Sequence, residues 1–133
     1  MRECFADAFF YFAWWNPGDA AHTAALSFIR RFSGRLVTTR WVLMEVADGF
    51  ASLAGRKDVR RLFRKLAAQP DVLIVEPDSR QAERALDLYD ARPDKKWSLT
   101  DCTSFIVMGD LGISEALTGD KHFEQAGFVA LLK

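Results

Sequence analysis

Apolar positions along this chain recur with two periods that take turns. Ala25, Phe28, Ile29 and Phe32 fall at i, i+3, i+4 and i+7, and so do Val59, Leu62, Phe63 and Leu66. Ala82, Ala85, Leu86 and Tyr89 repeat the stripe. Each predicts a helix with one face inward. Between them lie short apolar runs at 4–6, 35–38, 72–75, 113–118 and 128–131, which predict strands. The run at 72–75 is apolar throughout and is expected to be covered on both faces. Turn residues punctuate the pattern: Asn16-Pro17-Gly18, Ser33-Gly34, Gly55 and Pro70. Further helices are expected over 8–15, 41–54 and 121–126, with Asp19 or Thr23 capping the second and Asp78 or Ser79 the fifth. Strands alternating with helices predict an α/β fold, one domain over 1–133, with a central parallel sheet of about five strands flanked by helices on both faces.

The stretch 98–123 departs from these stripes. Ser98-Leu99-Thr100-Asp101 has the form of a capping box, a hydroxyl followed three residues later by an acid. The helix it opens is apolar or small on every face, so it is expected to be buried. Gly112 suits the left-handed residue that ends such a helix. Asp120 then follows the next strand. A carboxylate beside a dry element is costly unless something positive meets it. Asp101 is also explicable as a helix-start acid, and Asp120 as a turn residue after Gly119.

Two further acids have apolar surroundings. Asp7 follows the first strand amid Phe5, Ala6, Ala8, Phe9 and Phe10; its alternative is a cap for the next helix. Glu45 is the one charge in residues 41–47, which cover all faces of a helix; its alternative is a snorkelling side chain or a pair with Arg40. In open α/β sheets the ligand crevice lies beyond the carboxyl ends of the strands. Asp7, Glu45, Asp101 and Asp120 can therefore converge there. Clustered oxygen ligands suit a hard cation, Mg2+ or Mn2+, and the corresponding chemistry is phosphodiester hydrolysis.

Composition adds little bias. Lysine plus arginine equals aspartate plus glutamate at 18 each, so any nucleic-acid binding requires local charge segregation. Arg60, Arg61, Arg64, Lys65, Lys95 and Lys96 are candidates for holding RNA backbone, or are solvated charge. Cys4 and Cys102 fit no metal-ligand spacing and read as reduced thiols. The apolar run 4–15 is too short for a membrane span and is interrupted by Asp7, so a cytoplasmic protein without membrane association is expected.

The segments FADAFFYFA, TTRWVLMEVAD, SLTDCTSFIVMGDLGI and ALTGDKHFEQAGF together resemble the PIN-domain family, most of all the VapC-like toxin ribonucleases of toxin–antitoxin pairs. The resemblance implies a metal-dependent endoribonuclease with Asp7, Glu45, Asp101 and Asp120 as its acidic, metal-binding and catalytic set. It implies that Ser98 or Thr100 supports Asp101 and that Thr39 lies near the site. It also implies an RNA substrate, an antitoxin partner and a homodimer. Ala8 stands where the family often has a hydroxyl residue, and Gly119 and Asp110 are not the commonest choices.

Other features are expected to be secondary. His22 and His122 read as exposed, His122 anchoring the chain after Asp120. The rings of Phe9, Phe10, Tyr11, Phe12, Trp14 and Trp15 cannot all face one core at about 100° per residue, so some are expected on an exposed patch for self-association or a partner. Two rivals remain: the same fold as an inactive RNA- or protein-binding module, which the four acids oppose, and a receiver-type domain, which wants paired acids beside the first strand where only Asp7 stands.

Overall fold

The computed structural model describes residues 1–133. Its strands are β1 (Glu3–Ala6), β2 (Arg35–Thr39), β3 (Val72–Val75), β4 (Glu115–Leu117) and β5 (Val129–Ala130). They form one sheet in the order β3-β2-β1-β4-β5, every neighbouring pair parallel. Parallel pairs require crossovers. These are made by α1 (Ala8–Trp15), α2 (His22–Arg31), α3 (Arg40–Gly49), α4 (Val59–Ala68), α5 (Ser79–Ala91), α6 (Leu99–Leu111) and α7 (Lys121–Gln125). The α/β architecture expected from the sequence is the one found.

β1 is the centre of the sheet. Phe5 faces Val37 of β2 on one side and Ala116 of β4 on the other, and Cys4, Phe5 and Ala6 are fully buried. The chain builds outward from β1 to β3, then returns to the other side of β1 to lay down β4 and β5. The direction of winding therefore reverses between β1 and β4, and a crevice opens at their carboxyl ends. Thr38 ties the sheet together there, its hydroxyl donating to the Ala6 carbonyl at 3.0 Å. α6 is the buried helix expected: Asp101 through Phe105, Val107 and Met108 are buried, and Gly112 ends it with φ 69°. Cys4 and Cys102 are buried and unpaired.

Several expectations need correction. β3 is an edge strand, and all four of its residues are half-buried rather than enclosed. A four-residue apolar run reads the same at an edge as in the interior; only strand order separates them. α3 ends at Gly49 instead of running on to 54, and a 3-10 turn covers Ala54–Asp58. On α5 the stripe holds for Ala85, but Leu86 and Tyr89 are 40% and 49% exposed.

The aromatic run resolves into three groups. Phe10 and Tyr11 enter the core with Ala8 and Ala13. Phe9, Phe12 and Trp15, three residues apart, form a second stripe, half-buried, and each lies against a glycine: Gly119, Gly49 and Gly55. Phe12 and Trp15 also pack on Phe50, ring centroids 5.1 and 4.8 Å away. Trp14 alone is exposed, at the rim of an apolar groove of about 340 Å³ shared with Ile29, Phe32, Leu62 and Leu66. The expected exposed patch is thus a single ring.

A side chain at position 119 would strike Phe9: a Cβ there would lie 2.6 Å from the ring. Gly119→Ala is therefore expected to cost about 1–3 kcal/mol in urea denaturation, the usual range for overpacking. Adding Phe9→Leu should recover a good part of that loss. Additive effects of the two changes would show that the close approach is not what makes glycine necessary here.

Candidate metal centre

Asp7 leaves β1 and enters the crevice at once. It occupies the N-cap position of α1, yet its side chain makes no capping bond. Instead, Oδ2 accepts the Thr118 hydroxyl at 3.1 Å, from the residue just past β4. The same Thr118 oxygen accepts the backbone N–H of Asp120 at 3.0 Å. One hydroxyl therefore joins the ends of the two central strands and sets the turn carrying the next acid.

Asp101 is placed by the capping box. Ser98 Oγ accepts the Asp101 N–H at 2.9 Å, and Asp101 Oδ2 accepts the Ser98 N–H at 3.0 Å. The acid is 8% exposed. Asp120 caps α7, Oδ1 accepting the His122 N–H at 2.9 Å. That turn brings the His122 ring between the two acids: Nδ1 lies 3.2 Å from Asp101 Oδ2 and 3.5 Å from Asp120 Oδ1. One ligand atom from each of Asp101, Asp120 and His122 can be chosen so that all lie within 4.8 Å of one another. Asp7 and Glu45 stand outside this tight group but feel its charge, Asp7 that of Asp101 and Glu45 that of Asp101 and Asp120.

Glu45 is half-buried on α3, with the exposed Met44 beside it. It does not pair with Arg40, which is bound by both oxygens of Glu76 at 3.1 and 2.8 Å. Burial first, and then the charge of Asp101, pushes the Glu45 carboxyl above its ordinary range; the Thr100 hydroxyl opposes this. Asp7 is affected more strongly. Burial, followed by the Asp101 charge, drives it up to about 7 despite the Ala8 N–H, with Glu45 adding to the rise and Thr118 again opposing it. No lysine or arginine forms an ion pair with any of the four acids.

Thr39 caps α3, accepting the Val42 N–H at 3.1 Å. Of the two hydroxyls expected to support Asp101, Ser98 is the one bonded to it. The expectation for the histidines changes. Neither histidine is exposed: His22 Nδ1 sits 2.8 Å from the Ala13 carbonyl, holding α2 to α1, and His122 belongs to the acidic group. The spacing Asp120-Lys121-His122 was the available signal, because an acid capping a helix draws the second following residue back toward itself.

The donor set fits a hard divalent cation. It consists of carboxylate oxygens with one imidazole, partly dehydrated and without a basic partner beyond that ring. Carboxylates gathered this way repel one another, and a cation removes the repulsion.

A parallel sheet with acids converging at the β1–β4 crevice defines a PIN-type domain. The family model for the PIN domain matches residues 5–129, and the chain belongs to that family. Among solved structures it is similar to VapC20 of Mycobacterium tuberculosis, described as a sarcin-ricin loop cleaving toxin. The two are 26% identical over 95% of this chain and 96% of that one, with a TM-score of 0.87. FitAcB from Neisseria gonorrhoeae shares the fold at 14% identity over 96% and 95% of the two chains, TM-score 0.70. No curated protein sequence matches the chain.

The state of Asp7 makes stability depend on pH in cation-free buffer. In the unfolded chain this carboxyl ionises near pH 4; in the folded one it keeps its proton up to about 7. Between these values the unfolded state binds fewer protons, so Asp7's contribution to stability is fully present below about pH 4 and is lost as pH rises to about 7. Thermal melts of Asp7→Asn in chelator should show a shallower decline and a higher Tm above pH 7 than the parent. An unchanged pH slope would mean that Asp7 is not the strained group.

Proposed function

We propose that this protein is a metal-dependent endoribonuclease that hydrolyses RNA phosphodiester bonds, the toxin of a toxin–antitoxin pair. What supports this reading is the charge coupling of Asp7 and Glu45 to the Asp101–Asp120 pair, with no lysine or arginine paired to any of the four. The PIN family membership and the likeness to VapC20, whose description names a cleaving toxin, support it. An antitoxin and a second copy of the chain are the protein partners this reading expects. No helix is long and apolar enough to cross a membrane.

Asp7, Glu45, Asp101 and Asp120 would hold Mg2+ or Mn2+, which when bound neutralises phosphate oxygens and makes water a better nucleophile. The chain's own work is placement. Ser98 holds Asp101 by one oxygen, and Oδ1 takes no part in the cap. Thr118 holds Asp7 across the β1–β4 gap, and His122 keeps Asp101 and Asp120 facing each other. Phe5 and Phe123, near Asp7 and Asp120 in sequence, are fully buried, and a low-dielectric neighbourhood strengthens electrostatic interactions. In the overall reaction water adds to phosphorus, the bond to the 3′ oxygen breaks, and that oxygen leaves with a proton.

The test is a cleavage assay on structured RNA with Mg2+, with Mn2+ and with chelator, run beside Asp101→Asn. The substitution keeps the shape of the side chain and removes its charge. Cleavage should require the metal and fall by at least about a hundredfold in the variant. Metal-replete protein that binds RNA without cutting it would favour the inactive binding module instead.

A further inference from the structure

The acidic centre repels a polyanion, and the chain as a whole has no net charge to attract one. RNA must therefore be drawn in by a local basic surface. Two are available. The exposed face of α4 carries Arg60, Arg61, Arg64 and Lys65. α4 packs on β3, however, the edge strand separated from β1 by β2. The second lies in the loop before α6 and at the start of α7. There a cleft of about 260 Å³ is lined by Asp94, Lys95, Lys96, Lys121, His122 and Gln125, with no apolar residue. His122 is the same ring that touches Asp101 and Asp120. Through His122 the cleft reaches Asp101 and Asp120.

Its lysines are available. Lys96 and Lys121 are exposed and form no ion pair, and Lys95 approaches only Asp94, at 3.9 Å. Asp94 is the one carboxylate in the lining, and both its oxygens are occupied by Arg92 at 3.0 Å. The loop is also braced. Arg92 sits 5.4 Å over the Trp97 ring, the Lys95 N–H donates to the Arg92 carbonyl at 3.1 Å, and buried Trp97 donates from Nε1 to Gln125 of α7 at 3.1 Å. That last bond fastens one wall of the cleft to the other. A surface held open in this way loses little freedom when a ligand arrives.

We propose that the cleft between the 92–97 loop and α7 is the binding track for RNA backbone flanking the scissile bond, with Lys95, Lys96 and Lys121 contacting its phosphates. The proposal rests on the ribonuclease reading for the identity of the polyanion. Phosphate contacts of this kind hold and align the strand without reading its sequence. They offset the repulsion between the strand and the carboxylates beside it.

The test measures binding and cleavage separately. Binding of a fluorescein-labelled single-stranded oligoribonucleotide of mixed sequence is followed by anisotropy in chelator across a salt series. The proteins are the parent, Lys95→Ala/Lys96→Ala, Lys121→Ala and the α4 control Arg60→Ala/Arg64→Ala. The loop and α7 variants should bind about tenfold or more weakly, and the slope of log K against log[salt] should flatten by about 0.7 for each phosphate no longer neutralised. The α4 control should bind as the parent does. All are surface changes, and an unchanged melting temperature confirms that each variant is folded. Parent-like binding and salt slope in the loop and α7 variants would overturn the proposal, as would an equal loss in the α4 control. Preference for poly-glutamate over the oligoribonucleotide would also overturn it. Cleavage by the parent alongside parent-like loop variants would sink the track and leave the ribonuclease reading standing. Weakened binding in the variants with no cleavage by the parent in either metal would keep the track and sink that reading.

Discussion

The acidic crevice depends on keeping carboxylates near one another without a lysine or arginine to neutralise them. Unpaired acids in a dry place either take up protons or push the structure apart. The fold resists this with hydrogen bonds rather than with opposite charge. Thr118 serves Asp7, Ser98 serves Asp101 and the start of α7 serves Asp120. The Asp7 carboxyl, pushed up to about 7, registers the remaining strain. A divalent cation is the natural relief.

Topology accounts for where that strain sits. Because β1 lies between β2 and β4, the chain must reverse its winding there, and two strand ends part to leave a crevice. Asp7 closes one strand and Thr118 follows the other, so the hydrogen bond between them spans residues 111 apart in sequence. The glycines beneath the α1 aromatic stripe bring the helix close enough for Phe9 to rest on Gly119, immediately before Asp120. Packing and site geometry are thus parts of one arrangement.

Much of this was readable from local pattern. The capping box, the fully apolar α6 and the Gly112 terminus depend on neighbours a few residues apart, and all three stand as expected. The strand runs also sit near their expected places. What pattern could not show depends on partners remote in sequence. The edge position of β3 follows from strand order, which an apolar run does not encode. The need for glycine at 49 follows from the Phe12 ring lying against it. His122 looked like a surface residue until the Asp120 cap turned it toward Asp101, and Thr118 looked like part of a strand until it met Asp7. Asp7 and Glu45 drew attention because each is chemically out of place in its own apolar segment. The supporting residues were less legible, because hydroxyls are at home almost anywhere.

The most direct test is calorimetric titration of Mn2+ into the protein at a pH above 7, beside Asp101→Asn. If the acids form one cation site, binding is saturable, stoichiometric and accompanied by proton release, since Asp7 must give up any proton it still carries. The variant should lose most of the affinity. No saturable binding, or equal binding by Asp101→Asn, would contradict the claim that these carboxylates are held together for a metal.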